Sequence, residues 1–347
     1  MRVMHLICTD VFSGAENVAC QIINGFKNNN NYEMVYCSPA GSNLKSLKER
    51  NINYYQIKKF NYFSVKKAVN DFKPDLIHAH DIKASVMATI VANKNVKVVS
   101  QVHGNHENMR YFNLKTYLFN ICSKKFQKII WVSQSAYDNY EFKNKIKNKS
   151  QVLYNMIDTT EITKKIKNDS NCYEAYDLIF LGRLTYPKNP ERLIKIINEV
   201  KKVKDNVKVA IVGTGDLEEK VSELIRNYDL ESNIKMFGYI SNPYKILDSS
   251  KLLILTSIYE GTPMVALEAI ALGKPIISTP TDGMIELIIN GKTGYLSDDD
   301  QVLKEKIIEL LDDKKKYINM KKNIEERNQE VNNIKKYLEM IESIYRQ

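Results

Sequence analysis

Two carboxylates, Glu260 and Glu268, stand eight positions apart in the run Tyr259-Glu260-Gly261-Thr262-Pro263-Met264-Val265-Ala266-Leu267-Glu268-Ala269. The apolar run 251–256 before them reads as a strand buried on both faces. Gly261 and Pro263 break it. A helical pattern then starts near Met264 and runs through Ala271 to a stop at Gly273. Pro263 suits a first helical turn, where its missing N–H costs nothing. The free N–H groups of such a turn, at the carboxyl end of a sheet, make a place for an anion. Glu268 lies about two turns further in, roughly 12 Å by helix rise. That separation excludes a close acid–base pair. It fits two hydrogen-bond acceptors for two parts of one long ligand.

Cations stand where a diphosphate needs them. Arg183 and Lys188, in Leu181-Gly182-Arg183-Leu184-Thr185-Tyr186-Pro187-Lys188-Asn189, follow a second buried strand. Arg offers a fork and Lys a point charge. Gly213, in Ile211-Val212-Gly213-Thr214-Gly215, ends another strand in a turn that lets a ligand approach the backbone. In the first half, Phe12-Ser13-Gly14-Ala15-Glu16 closes a strand and opens a helix, and the strand 98–102 ends in His103. His78-Ala79-His80-Asp81 ends the strand before that one. Its two imidazoles imitate metal ligands, but no third ligand stands at useful spacing, so no metal is expected. The acidic cluster Asp298-Asp299-Asp300 reads as a helix-capping loop.

These residues need a scaffold of strands and helices in alternation. Strand-like runs fall at 3–8, 32–37, 76–79, 96–102, 129–132 and 152–153, then at 177–181, 207–212, 234–237, 252–256 and 275–278. Helical patterns fall at 16–28, 44–49, 65–72, 84–92, 114–125, 190–200, 217–228, 243–248 and 302–311. Repeated alternation predicts a parallel sheet with helices on both faces, and two series predict two doubly wound domains. The polar stretch 159–173 is read as the boundary, giving domains at 1–165 and 173–330.

The chain's 347 residues suit two domains with substantial cores. No apolar run approaches the roughly 20 residues that span a bilayer. The opening residues read as a strand rather than a signal peptide. Five Cys, at positions 8, 20, 37, 122 and 172, give no disulfide or zinc framework. Cytoplasmic residence is expected. Residues 1–170 hold 25 Lys and Arg against 13 Asp and Glu, whereas the remainder is close to neutral. That asymmetry suggests a polyanionic partner for the first half. No nucleic-acid-binding module is recognisable and the cations are dispersed, so nucleic acid is not the expected partner.

The segment around Glu260 and Glu268, continued as Gly273-Lys274-Pro275-Ile276-Ile277-Ser278 and Asp282-Gly283-Met284-Ile285-Glu286, resembles the Glu-x7-Glu signature of the retaining glycosyltransferases of family 4 (glycosyl transferases group 1). The resemblance covers most of the chain. It implies the α/β GT-B fold, two Rossmann-like domains facing across a cleft, with a last helix at about 331–347 packing back on the first domain. It further implies that Glu260 contacts the donor sugar, Glu268 holds the ribose hydroxyls, and Arg183 and Lys188 bind the diphosphate. Gly213, Gly238 and Tyr239, with Gly261, Thr262, Pro263, Met264 and Val265, complete the donor site by the same likeness. Gly14 resembles the second Gly of the family's Gly-Gly-Ala-Glu loop, with Ser13 in place of the first. It would bring N–H groups toward the donor phosphate, with Ser13 and Glu16 on the acceptor side. His103 looks like the histidine that contacts the transferred sugar, and His80 or Asp81 would line the acceptor pocket. Asn155-Met156 replaces the usual Asn-Gly near the hinge.

The implied reaction is retaining transfer from a nucleotide sugar, UDP by family frequency, without metal or other cofactor. The implied acceptor is a glycan or lipid-linked glycan of a bacterial surface polysaccharide. Two rivals are a sugar-nucleotide epimerase of the same fold, which would turn over donor without acceptor, and a basic nucleic-acid-binding protein. Lys58-Lys59-Phe60-Asn61-Tyr62-Phe63-Ser64-Val65-Lys66-Lys67 and Met109-Arg110-Tyr111-Phe112 interleave cations with aromatics. They predict peripheral contact with an anionic membrane surface, the inner face of the cell membrane.

Overall fold

The computed structural model describes residues 1–104, 109–260 and 263–347. They form two compact units, one of Met1–Met156 with Ile334–Gln347, the other of Ile157–Asn333.

The first unit is built on a seven-stranded parallel sheet in the order β3-β2-β1-β4-β5-β6-β7. Its strands are β1 (Arg2–Leu6), β2 (Glu33–Pro39), β3 (Tyr54–Ile57), β4 (Leu76–His80), β5 (Lys97–Val102), β6 (Phe126–Trp131) and β7 (Ser150–Val152). Helices α1 (Gly14–Gly25), α2 (Asn43–Glu49), α3 (Tyr62–Phe72), α4 (Asp81–Val91), α5 (Leu114–Ser123), α6 (Gln134–Asp138) and α7 (Lys143–Ile146) connect them. Strand side chains alternate between faces, and here the two faces differ in kind. One face (Met4, Leu6, Val35, Cys37, Ile77, Ala79, Val98, Val102) packs an apolar core against α3, α4 and α5. The other carries, among Val3, Leu76 and Val99, the polar side chains of His5, Tyr36, His78, His80 and Gln101, paired in register as His5 with Tyr36, His5 with His78, and His80 with Gln101. All five are buried. Helix α16 (Ile334–Arg346) helps cover this polar face. The Tyr345 hydroxyl lies 2.7 Å from His78 Nδ1, and Gln101 Nε2 donates to the Tyr337 hydroxyl at 3.2 Å. Gly25 of α1 meets Leu338 of α16 so closely that an added Cβ would stand 2.4 Å from the leucine Cδ1.

The second unit has a six-stranded parallel sheet in the order β10-β9-β8-β11-β12-β13. Its strands are β8 (Tyr176–Leu181), β9 (Val209–Val212), β10 (Ile234–Met236), β11 (Ser250–Leu255), β12 (Ile276–Ser278) and β13 (Gly294–Leu296). Its helices are α8 (Thr159–Lys167), α9 (Pro190–Lys201), α10 (Glu218–Asn227), α11 (Tyr244–Ser249), α12 (Met264–Ala271), α13 (Asp282–Leu287), α14 (Asp300–Asp312) and α15 (Lys314–Val331). Its core is mostly aliphatic, with Tyr176 and Phe180 of β8 among it. In each sheet the connections reverse direction once, between β1 and β4 and between β8 and β11. The carboxyl ends of strands at such a reversal are where ligands bind in open α/β sheets.

Three sequence expectations are corrected. The stretch 159–173 is not a structureless boundary. Its first half is α8, capped by Asp158, whose carboxylate accepts from the Thr160 and Glu161 N–H groups. Ile162 and Ile166 of α8, four residues apart, join the second core. The division falls instead between Met156 and Ile157. The short edge strands β3 and β13 were not expected.

Candidate functional site

At the reversal of the second sheet, the loops after β8 and β11 are sewn together. The Ile258 N–H donates to the Pro187 carbonyl at 2.8 Å. Thr256 Oγ1 donates to the carbonyls of Lys188 and Asn189 at 3.2 and 2.9 Å. Asn189 takes the left-handed conformation (φ 49°) as the chain turns into α9. These bonds bring the Lys188 ammonium onto the Glu260 carboxylate in an ion pair. Ser257 Oγ donates to the same oxygen, Glu260 Oε1, at 2.7 Å. Arg183 extends from the loop after β8 as an exposed cation. The sequence placed Lys188 and Glu260 in one site, and the fold places them in contact. Glu268, on α12, accepts from the Tyr244 hydroxyl at 3.2 Å. Tyr244 had no assigned role; its only signal was an aromatic residue opening a helix.

Gly213 (φ 136°) is irreplaceable on steric grounds, since an added Cβ would lie 1.9 Å from the Gly182 carbonyl oxygen. Its N–H donates to the Gly238 carbonyl at 2.8 Å, and Gly238 is itself left-handed (φ 66°). The turns after β8, β9 and β10 are thereby drawn together. Tyr239 is 71% exposed. Pro263 precedes α12 as its N-cap rather than lying in its first turn, and Met264 and Val265 are half-buried at its start. Gly261 and Thr262 lie outside the described residues. Of the acidic cluster, Asp299 caps α14, and Arg192 pairs with Asp298 and Asp300.

At the reversal of the first sheet, Gly14 opens α1 in a loop organised by Glu16. The Glu16 carboxylate accepts from Thr9 Oγ1 (2.6 Å), the Ser13 N–H (3.0 Å) and Ser13 Oγ (2.5 Å). Buried and bonded on both oxygens, Glu16 shapes the loop and is not poised to meet an acceptor. His80 also departs from its expected place in an acceptor pocket. It is buried, and both its ring nitrogens are engaged, Nε2 with His5 Nδ1 (3.0 Å) and Nδ1 with His103 Nε2 (2.8 Å). Asp81 is left-handed (φ 69°), and its Oδ1 accepts from the His103 N–H at 2.9 Å. Burial holds His5 at a pKa of about 3 and drives His78 and His80 well below the usual imidazole value. His103, half-buried, is lowered by burial against the opposing pull of Asp81 and Glu16.

His5 escaped the sequence reading. The signal was present in β1, where His5 alternates with Met4 and Leu6, but only the register with β4 shows its neighbour. With it the missing third imidazole exists. His5, His78 and His80 each place a ring nitrogen within 4.8 Å of the others. A tetrahedral zinc at 2.0–2.1 Å would need those nitrogens within about 3.4 Å of one another. Three neutral ligands would also leave a dication's charge uncompensated away from water. The donor set fits a hydrogen-bonded chain better than a metal.

The first half of the chain, residues 12–161, matches the family model described as Glycosyltransferase Family 4, and residues 162–327 match Glycosyl transferases group 1. The fold is shared with Anabaena HepE, solved in complex with UDP-glucose, at a TM-score of 0.84 and 18% identity over 99% of this chain and 98% of that one. It is shared with Staphylococcus aureus TarM, bound to UDP, at a TM-score of 0.79 and 14% identity over 100% and 99%. An uncharacterized glycosyltransferase of Methanocaldococcus jannaschii is 30% identical over 238 residues, 62% of this chain and 58% of that protein. The capsular polysaccharide biosynthesis glycosyltransferase CapH of Staphylococcus aureus is 25% identical over 78% of both chains. The match thus spans 58% and 65% of the length of the first two curated relatives. Two Rossmann-like parallel-sheet units of this connectivity make the chain a GT-B protein. It belongs to the glycosyltransferases of group 1, family 4 type.

Proposed function

We propose that the chain is a retaining glycosyltransferase that moves a sugar from a UDP-sugar to a lipid-linked glycan of a bacterial surface polysaccharide. The observation that carries this reading is the Lys188–Glu260 pair at the sheet reversal, with Glu268 eight residues on. Glu268 takes the ribose hydroxyls and Glu260 a hydroxyl of the sugar. Arg183 and Lys188 take the diphosphate, which competes with Glu260 for the Lys188 ammonium. Gly213, Gly238 and Tyr239 border the nucleotide. As the sugar–phosphate bond breaks, negative charge grows on the diphosphate, and the two cations with the first turn of α12 stabilise it. The acceptor hydroxyl attacks from the same face, and the leaving phosphate takes its proton. Gly14 and His103 serve the donor phosphate and the transferred sugar. UDP in the solved relatives and the polysaccharide role named for CapH support the choice of substrates. Calorimetry with UDP, GDP and ADP, then assays with UDP-sugars, tests it. UDP binding that survives Glu268→Ala, or donor turnover that needs no acceptor, would refute it.

The lipid-linked acceptor rests on the outer side of α5. Leu114, Tyr117, Leu118 and Ile121 form an exposed stripe at helical spacing, beside Tyr111 and Phe112. Residues 109–128 carry Arg110, Lys115, Lys124, Lys125 and Lys128 and no acidic residue. Such a face suits an anionic bilayer. The segment 58–67 contributes less than its composition suggested. Phe60 packs against the core, Lys66 bonds the Val91 carbonyl and Asn93, and Lys67 pairs with Asp71. Phe63 remains 80% exposed. Flotation with anionic vesicles should show binding that falls with salt and with Leu114→Glu/Ile121→Glu. A protein that stays unbound at low salt would refute this part alone.

A further inference from the structure

We propose that Tyr244 is a positioning residue that fixes the Glu268 carboxylate before the nucleotide arrives, and so makes the site select a nucleotide by its ribose hydroxyls. The inference rests on the reading of Glu268 as the acceptor for those hydroxyls.

Glu268 is the fifth residue of α12. Helix side chains lean toward the N-terminus of their helix, so this one leans toward the end at which the chain arrives from β11. A glutamate side chain has three torsions, and a carboxylate that must meet two vicinal hydroxyls at once needs all three settled. The Tyr244 hydroxyl donates to Glu268 Oε1 at 3.2 Å. One hydroxyl takes only one of about four lone-pair sites on a carboxylate, so the bond orients the group without using it up.

Tyr244 is itself held. It opens α11 directly after Pro243, is 7% exposed and belongs to the second core. Two bonds tie its neighbours to the end of α8 and the turn that follows. Asn242 Nδ2 donates to the Lys165 carbonyl at 3.1 Å, and Lys245 Nζ donates to the Asp169 carbonyl. The Lys165 ammonium lies 5.4 Å from the centroid of the Tyr244 ring and pairs with Glu161 one turn back. A tyrosine has only two torsions, and this ring is enclosed while both its flanks are tied. Its hydroxyl is a fixed point for a more flexible carboxylate. The polar helix α8 thereby frames a ribose clamp that it does not touch. Ordering a side chain in advance spares the ligand that cost. Only a ligand with hydroxyls to offer Glu268 gains from it.

Calorimetry of the full chain with UDP and with 2′,3′-dideoxyuridine diphosphate tests the proposal. Tyr244→Phe keeps the ring and removes the hydroxyl. It should weaken UDP binding about three- to tenfold, the weight of one hydrogen bond. It should leave binding of the dideoxy nucleotide unchanged and add no further loss to Glu268→Ala. Asn242→Ala loosens the segment from outside the site and should give the same ribose-confined loss in smaller measure; it serves as the test should Tyr244→Phe fail to fold. An equal loss for both nucleotides, or a loss that adds in full to that of Glu268→Ala, would make Tyr244 merely structural and overturn the proposal. Unchanged UDP affinity in Tyr244→Phe, with a loss in Glu268→Ala, would overturn this inference and leave the reading of Glu268 standing. Unchanged UDP affinity in Glu268→Ala would overturn both.

Discussion

Acid should unfold the first unit earlier than its carboxylates alone would dictate. His5, His78 and His80 are neutral and buried when folded, with pKa values pushed below 6.5. Once the chain unfolds, the same rings titrate near 6.5 and bind protons that the folded state refuses. The unfolded state therefore holds more protons at any pH below about 6.5, and stability falls as pH drops toward the folded values. Each histidine contributes on the order of 1 kcal/mol of destabilisation between pH 7.5 and 5.5, so the three together contribute a few kcal/mol. That is a large part of the roughly 5–15 kcal/mol that stabilises a domain. Carboxylates do not confuse this window, because they titrate from about pH 4.5 downward. Trp131, the chain's single tryptophan, lies in the first unit's core at 1% exposure and reports that unit's unfolding. Urea titrations followed by its fluorescence should show the midpoint falling steadily from pH 7.5 to 5.5. A midpoint constant across that range would mean that the three rings are not held neutral, and the proton count above would be wrong.

Glu268→Ala should weaken UDP binding about tenfold or more, since ribose hydroxyls lose a charged acceptor, and calorimetry checks it. Arg183→Ala should cut turnover about 10²–10³-fold while the protein stays folded, read in a radiolabelled transfer assay. Gly213→Ala should unfold or severely destabilise the second unit, because its Cβ would overlap the Gly182 carbonyl oxygen at 1.9 Å; thermal melting is the measurement. Transfer activity should persist in EDTA, and a complete loss restored by manganese would overturn the metal-free mechanism.

The sequence was most legible where one short segment held both element and chemistry. Met264–Ala271 reads as a helix from its flanking Pro263 and Gly273, and Glu268 lies on it. Lys188 and Glu260 could be assigned to one site because both segments resemble motifs of the family, although 72 residues separate them. Contacts set by register were not legible. His5 and His78 become neighbours only because β1 pairs with β4. Glu16 carried a signal of its own, since Ser13-Gly14-Ala15-Glu16 has the Ser-x-x-Glu spacing of a capping box, whose carboxylate turns back to its own N-cap. Helix α8 was hidden by its polar face, where two isoleucines alone mark the buried side.

The return of residues 334–347 to the first unit has a consequence for biosynthesis. The first sheet is complete when residue 156 leaves the ribosome, but the helix over its polar face follows roughly 190 residues later. At ~5–20 residues per second the wait is about 10–40 s. During it the second unit, one continuous stretch of chain, can finish folding first. What stands uncovered mixes histidines and a glutamine with Val3, Leu76, Val99 and Phe26, so water can solvate part of it. The polar share of that seam lowers the cost of leaving the unfinished domain uncovered until the helix arrives.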